Sequence, residues 1–367
     1  MAFFNALPGA VAQGLIWGIM AVGVYLTFKV LDIADLTVDG SITTGACVCA
    51  ILLSNGTNVW VALLAAFLAG ALAGLVTALF HTFMGIPAIL AGILTQLMLW
   101  SINLKILGQA NMPVSARTLP VLLTQLKVNT AICIGLGFVA VIIAALYWFF
   151  GTEYGSGVRA TGCNPRMAKA QGINVNFNKS FGLVLSNGLV ALSGALLAQY
   201  QGFADINMGK GAIVIGLAAV IIGTAAVSWI PKYGKNFAMQ LFGVVLGGVI
   251  YYIVYQLVIS LGLDTDLLKM LSALVVAVFL GVPYLRKKYS FSKILKKWGF
   301  VKKSVLVDEV AAKGIINAAE EEAPVMVVEA PVVVDESHKK ANPFDEKPID
   351  DAAHRVEKNA SKDGGEV

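Results

Sequence analysis

The amino-acid sequence predicts an all-α, polytopic membrane bundle of 9–10 transmembrane helices with inverted internal repeats. Three observations carry this expectation. Hydrophobic residues make up 57% of the chain and charged ones only 13%, against roughly 25% charged in an ordinary soluble domain. Charge is also placed unevenly: of 27 basic and 22 acidic residues, 15 of each lie from Arg286 onward, leaving 12 and 7 for the first 285 positions. So few charges cannot solvate a water-facing surface, whereas a bilayer interior excludes them except at functional positions. Third, apolar runs of bilayer length recur along the chain. The formal charge of +5 is then a topology signal and gives no reason to invoke nucleic acid.

Apolar spans fall near 9–28, 40–54, 59–80, 86–108, 128–150, 181–201, 209–230, 236–260 and 266–285. Before the first span there is no basic cluster, and no small-residue cleavage pattern follows it, so it is expected to be a retained helix. The 40–54 span is shorter than the roughly 20 residues of a full crossing and reads as half of a broken helix continuing into its neighbour. In the third span, the Gly and Ala density of LLAAFLAGALAGLVTALF predicts close helix packing. At the outer end of the fourth, Asn103 and Lys105 read as snorkelling interface groups. Cys47 and Cys49, with Cys133 and Cys163, lack a partner His or second pair at metal-binding spacing. They read as small residues packed between helices.

Basic residues orient the spans. The 151–180 loop carries Arg159, Arg166, Lys169 and Lys179 against Glu153 alone, and 286–303 carries eight basic residues and no acid. Both are expected on the cytoplasmic side. An even number of spans separates them, which also puts Lys29, Lys232 and Lys235 inside and the N-terminus, Asp264 and Asp266 outside. The domain organisation expected is a transmembrane domain over 1–285, a basic juxtamembrane segment over 286–312 that touches anionic lipid, and a cytoplasmic tail over 313–367. The tail's composition, rich in Glu, Lys, Pro and Asp with few aromatics, predicts disorder.

A faint internal repeat joins DLTVDGSITTGACVCAILL, opening at Asp35, to DINMGKGAIVIGLAAVIIG, opening at Asp205. Each is an acidic residue, a polar Gly-bearing turn and a small-residue helix. Parity places the first on the cytoplasmic side and the second outside, so the repeats are expected to be inverted. Cysteines at Thr37 and Asn207 are then expected to label from opposite faces. Asp35, Asp39 and Asp205 are the candidate translocation-path residues, because an ionisable residue bordering a membrane marks function. For Asp35 and Asp39 the alternative is a solvated carboxylate capping the helix that starts near Ser41.

Several chemistries are excluded. No G-x-x-x-x-G-K-[ST] phosphate loop occurs, so no ATPase site is expected in this chain. Of three histidines, His338 and His354 fall in the tail, so no catalytic residue, metal site or cofactor is expected.

The most informative segment is GTEYGSGVRATGCNPRMAKAQGINVN. It sets Arg159, Gly162, Asn164-Pro165, Ala168 and Gly172 in the pattern G-x-R-A-x-G-x-N-x-x-x-A-x-x-x-G-I. Gly162 and Asn164-Pro165 predict a turn starting a short helix at about Arg166, which Gly172 and Asn174 end. Ala168 is expected to face outward. The segment resembles the cytoplasmic loop of permeases from the branched-chain amino acid, ribose and related ABC importers, and the resemblance covers about residues 9 to 285. It implies that Arg159, Gly162, Asn164, Pro165, Ala168 and Gly172 form the element that docks on a separate ABC ATPase subunit. GLIWGIMAVGVYLTFKVLDIADLTVDGSITTGA is similar to the subgroup that pairs with external substrate-binding lipoproteins and includes tryptophan/tyrosine importers. The family's usual Asn-x-Ala-His-Gly turn is replaced by Asp35 to Gly40. The resemblance thus implies a permease homodimer in a bacterial plasma membrane that imports a small solute, an amino acid, with aromatic ones among the candidates. An ion-gradient-driven secondary transporter is the alternative; it needs mid-span ionisable residues, and those in the spans are few and near their ends. A membrane-embedded enzyme lacks any catalytic constellation.

Overall fold

The computed structural model describes residues 2–116, 119–228 and 236–260, with isolated helical positions at Met270, Ala277 and Gly281. The chain divides into the units Met1–Lys297 and Trp298–Val367, and the second lies outside the described residues. So do the basic 286–312 segment, the 313–367 tail, Lys232, Lys235, Asp264, Asp266 and, but for those three positions, the 266–285 span.

The described chain is helical, and eight of its helices coincide with the first eight expected spans. They are α1 (Ala2–Tyr25), α2 (Val38–Ser54), α3 (Val59–Thr82), α4 (Ala88–Leu107) and α5 (Val128–Gly151), then, after two short helices α6 (Glu153–Cys163) and α7 (Pro165–Ala170), α8 (Val175–Gln201), α9 (Ala212–Ser228) and α10 (Phe237–Ser260). Six are long and apolar enough to cross a membrane, whereas α2 and α9 are shorter. The only sheet among the described residues is a small one, in which β1 (Asn111–Pro113) pairs antiparallel with β2 (Phe203–Asp205).

Helices α1 and α8 occupy the middle of the bundle: 83% and 78% of their most apolar stretches are buried, against 22% for α5. Against α8 pack α3, α2 and α1, and against α1 pack α10 and α9. Leu64, Leu68, Leu72 and Val141 point outward, as they should where the solvent is lipid. Small residues set the closest approaches. A Cβ on Gly45 would fall on the Ala191 backbone, one on Gly194 on the Ile42 carbonyl, and those on Gly70 and Gly74 on the backbones of Asn187 and Leu183. The packing role expected of the Gly/Ala-rich third span is borne out, and backbone contact of this kind is what drives helix association where no hydrophobic effect operates. Cys47 and Cys49 are fully buried between helices, also as expected, whereas Cys133 and Cys163 are exposed and not packed between helices.

One departure matters for function. Helix α1 ends in a π-helical turn, Leu26–Val30, a rare geometry that recurs at functional sites. Asp32 then takes a left-handed backbone (φ 55°), and residues 33–37 run back into the bundle. Asp35 and Thr37 are only 2% and 0% exposed. Asp35 meets Asn187, twelve residues inside α8, or about 18 Å along it at 1.5 Å per residue. The polar turn therefore lies at mid-height rather than on the cytoplasmic face, and a cysteine at Thr37 has no face from which to label. Polar turns are assigned to surfaces because buried backbone groups need partners; here the Asp35 carboxylate takes the Thr37 N–H, and side chains of α8 and α3 reach the Asp35 and Thr37 side chains.

Candidate functional site

Asp35 closes its own turn: the Thr37 N–H donates to its Oδ1 at 2.9 Å, and Asn187 Nδ2 donates to its Oδ2 at 2.7 Å. Asn187 also donates to the Leu183 carbonyl and accepts from Ser41 Oγ at 2.6 Å. Next to this, Thr37 Oγ1 lies 2.7 Å from Thr77 Oγ1, which donates to Thr95 Oγ1 at 2.9 Å. The re-entrant turn is thus tied to α8, α3 and α4 by buried polar groups, each satisfied.

Asp39 does not cap its own helix, the second of the roles its sequence context offered. Its carboxylate accepts from the backbone N–H groups of Gly211 and Ile213 at 2.9 and 2.8 Å, so it caps the start of α9 instead of its own helix. A carboxylate at a helix N-terminus satisfies free N–H groups and complements the helix dipole. Thr43 Oγ1 accepts from Gly209 N–H at 3.1 Å. The chain leaving β2 therefore folds back to meet the first turns of α2, and two short helices begin side by side. Asp205 stays apart, on β2 opposite Asn111, where it accepts from the Asn207 N–H at 2.7 Å.

Beside the Asp39 contact is a cavity of about 300 Å3 whose lining includes Thr43, Gln96, Trp100, Asn103 and Lys210. Asn103 is 1% exposed and both of its amide atoms lack a hydrogen-bond partner, which corrects its reading as a snorkelling group. Lys105 is exposed, as expected. Sequence reasoning passed over Asn187, Ser41, Thr77, Thr95 and Gln96. The available signal was an amide or hydroxyl inside an apolar helix, where a polar group needs a reason.

The 151–180 segment folds as two helices, not one. Asn164 Oδ1 accepts from the N–H groups of Arg166 and Met167, both at 3.1 Å, capping α7, whose first residue is Pro165. Gly172 ends it at φ 80°, open only to glycine at little cost. These parts behave as expected; Gly162 and Ala168 do not. Gly162 is helical, within α6, and its missing Cβ leaves room for the Val30 carbonyl at the end of the π-helical turn. Ala168 is 3% exposed and packs inward, where α7 meets α6 and α8. Every residue of α7 except Ala168 is exposed, Arg166, Met167 and Lys169 being the longest of them. Arg159 donates to the Phe150 carbonyl at 3.0 Å and lies 6.0 Å from the centre of the Phe237 ring, joining α6 to α5 and α10. Asn178 Nδ2 donates to Thr161 Oγ1 at 3.0 Å and joins it to α8.

Comparison with known proteins places this architecture. Residues 7–282 match the family described as branched-chain amino acid transport system / permease component. The chain belongs to that family. It is the permease component of an ABC-type transport system and a multi-pass membrane protein. A tyrosine transport system permease protein of Clostridioides difficile is 39% identical over 277 residues, covering 76% of this chain and 91% of the relative. An uncharacterized protein of Rickettsia prowazekii is 32% identical over 278 residues, covering 76% and 97%. Among solved structures, PsaBC from Streptococcus pneumoniae in complex with Fab aligns over 78% of this chain and 99% of that one, at 17% identity and a TM-score of 0.46. In the permease, then, Asp35 and Asp39 lie in neighbouring parts of one polar junction and Asp205 outside it, while Arg159 to Gly172 form a separate pair of helices connected to that junction through Val30.

Proposed function

We propose that this permease is the membrane-spanning subunit of an ATP-driven importer for an amino acid, with an aromatic amino acid such as tyrosine as the substrate. The named activity of the Clostridioides difficile relative supports the substrate class. Two copies of the chain form the pathway and an external substrate-binding lipoprotein delivers solute. ATP hydrolysis comes from a separate subunit that docks on α6 and α7, since this sequence carries no phosphate loop. Solute crosses by alternating access, with ATP binding in the partner biasing a two-state permease. The observation that carries the coupling role is α7 itself: a short helix capped at both ends is rigid enough to transmit force, and its outer side chains are free for a partner.

Met167 is 62% exposed, so Met167→Glu leaves the fold intact while placing a charge in the docking surface. Solute-stimulated ATP hydrolysis by the assembled complex is expected to fall at least about tenfold, the effect of roughly 1.4 kcal/mol lost at the interface. Unchanged stimulation would remove α7 as the coupling element.

The same reading has α2 and α9 entering from opposite sides as inverted halves, an arrangement their convergence at Asp39 supports. Cysteine at Lys29 is expected to react only with reagent on the cytoplasmic side, cysteine at Asn207 only from outside, and cysteine at Thr37 from neither. Lys29 and Asn207 reacting from one side would end the inverted arrangement.

A further inference from the structure

The cavity beside Asp39 lies where two short helices start, and one of its walls is a buried amide with nothing to bond. Leaving a buried polar group unpaired is unfavourable, and both amide atoms of Asn103 are in that state. The remaining lining is chemically uneven in a way packing does not require. Asp39 brings a carboxylate whose two oxygens each hold one backbone N–H, leaving further lone pairs open. Lys210 brings an exposed ammonium that forms no ion pair among the described residues. Gln96 adds a second amide and Trp100 a half-exposed indole face. A volume of about 300 Å3 stands at the lower end of small-ligand sites and suits one amino-acid-sized molecule.

We propose that this cavity, between α2, α4 and the 206–211 segment, is the solute-binding site within the membrane and that it takes an amino-acid zwitterion. Lys210 pairs with the solute carboxylate and Asp39 with its ammonium, while Asn103 and Gln96 read the polar groups between them. Trp100 forms the wall against which an aromatic side chain lies. In the conformation described here the Asn103 amide is shielded, and it gains its partners when the solute enters and the α4 wall moves. The inference rests on the importer reading given above and adds to it the place and chemistry of solute contact.

Two measurements test it, both on the full complex with its ATPase in proteoliposomes. The first is uptake of radiolabelled L-tyrosine, with tyramine (no carboxylate) and 4-hydroxyphenylpropionate (no ammonium) as competitors. Asn103→Leu keeps the branched shape and heavy-atom count of the side chain and removes the amide; it is expected to cut uptake at least tenfold, with complex yield unchanged. Lys210→Gln is expected to erase the preference for L-tyrosine over tyramine as competitor. Uptake by Asn103→Leu within twofold of the parent, or an unchanged competitor ranking in Lys210→Gln, would overturn the site. The second measurement does not depend on the solute. In a Cys133→Ser, Cys163→Ser background, cysteine at Asn103 or Gln96 is expected to react with a small water-soluble thiosulfonate in one nucleotide state and to be protected in another. Absence of reaction in every state would also overturn the site, and would point to a structural water as the partner of Asn103. State-dependent reaction without uptake of any amino acid would uphold the cavity as the path and defeat the amino-acid reading instead.

Discussion

Replacing Asn187 with leucine is expected to lower the apparent melting temperature of the solubilised permease by roughly 10 °C, following a loss on the order of 3 kcal/mol. Asn187 is fully buried in α8 and serves three groups at once: the Asp35 carboxylate, the Ser41 hydroxyl and the Leu183 carbonyl. An ordinary hydrogen bond between membrane helices contributes only about 0.6 kcal/mol, so a leucine that removed one such bond would scarcely be noticed. Asp35 is different because it is an ionisable group 2% exposed, and its remaining donor comes from its own turn. Stripping the cross-helix donor leaves that group buried and under-solvated, which costs far more than the bond itself. The double variant Asp35→Leu, Asn187→Leu separates the two contributions. It is expected to regain much of the lost stability, since an apolar pair of similar volume needs no partner. A single variant melting within about 2 °C of the parent would show that Asn187 does not hold the re-entrant turn.

Gly162→Val is expected to abolish transport while leaving the transmembrane helices assembled. The position lies in α6, where a Cβ would meet the Val30 carbonyl oxygen and approach the Leu31 Cα at 2.9 Å. Both neighbours are backbone atoms, which cannot rotate away as a flexible side chain would. Overpacking of this kind costs typically 1–3 kcal/mol, and the strain is relieved most readily by moving α6 off the end of α1. That contact joins α6 and α7 to the π-helical turn, and the turn leads within five residues to Asp35. Displacing it disconnects α7 from the polar junction. The informative readout is the ratio of ATP hydrolysed to solute moved in the assembled complex, expected to rise steeply. Uptake equal to the parent, with an unchanged ratio, would show that force does not pass through this contact.

Much of the architecture was legible in the chain because bilayer physics is one-dimensional to a good approximation. Span positions follow from apolar runs that lipid permits and water does not, and eight of them are helices within a few residues of where hydropathy placed them. Asn164-Pro165 and Gly172 were legible for a different reason, in that caps and stops act on their own helix and need no distant partner. Gly162 shows the limit. A glycine beside an Asn-Pro turn reads as turn chemistry, yet its role is set by the Val30 carbonyl, over a hundred positions earlier in the chain. Ala168 failed likewise, since the inner side of a six-residue helix cannot be told from its outer side by periodicity.

By itself, then, the sequence determined the class, the span positions, the short second span and the capped helix after Asn164, all features governed by local composition and local caps. Only the tertiary structure decided the depth of the Asp35 turn, the role of Asp39 as a cap for α9, and the burial of Asn103. Each depends on which group from a distant segment arrives to satisfy a polar atom. A carboxylate with donors from Asn187 is stable at mid-height of the bundle, and the same carboxylate without them belongs in water. Hydropathy sees the carboxylate and not the donor, so it set Asp35 at the surface, where a lone carboxylate would have to be.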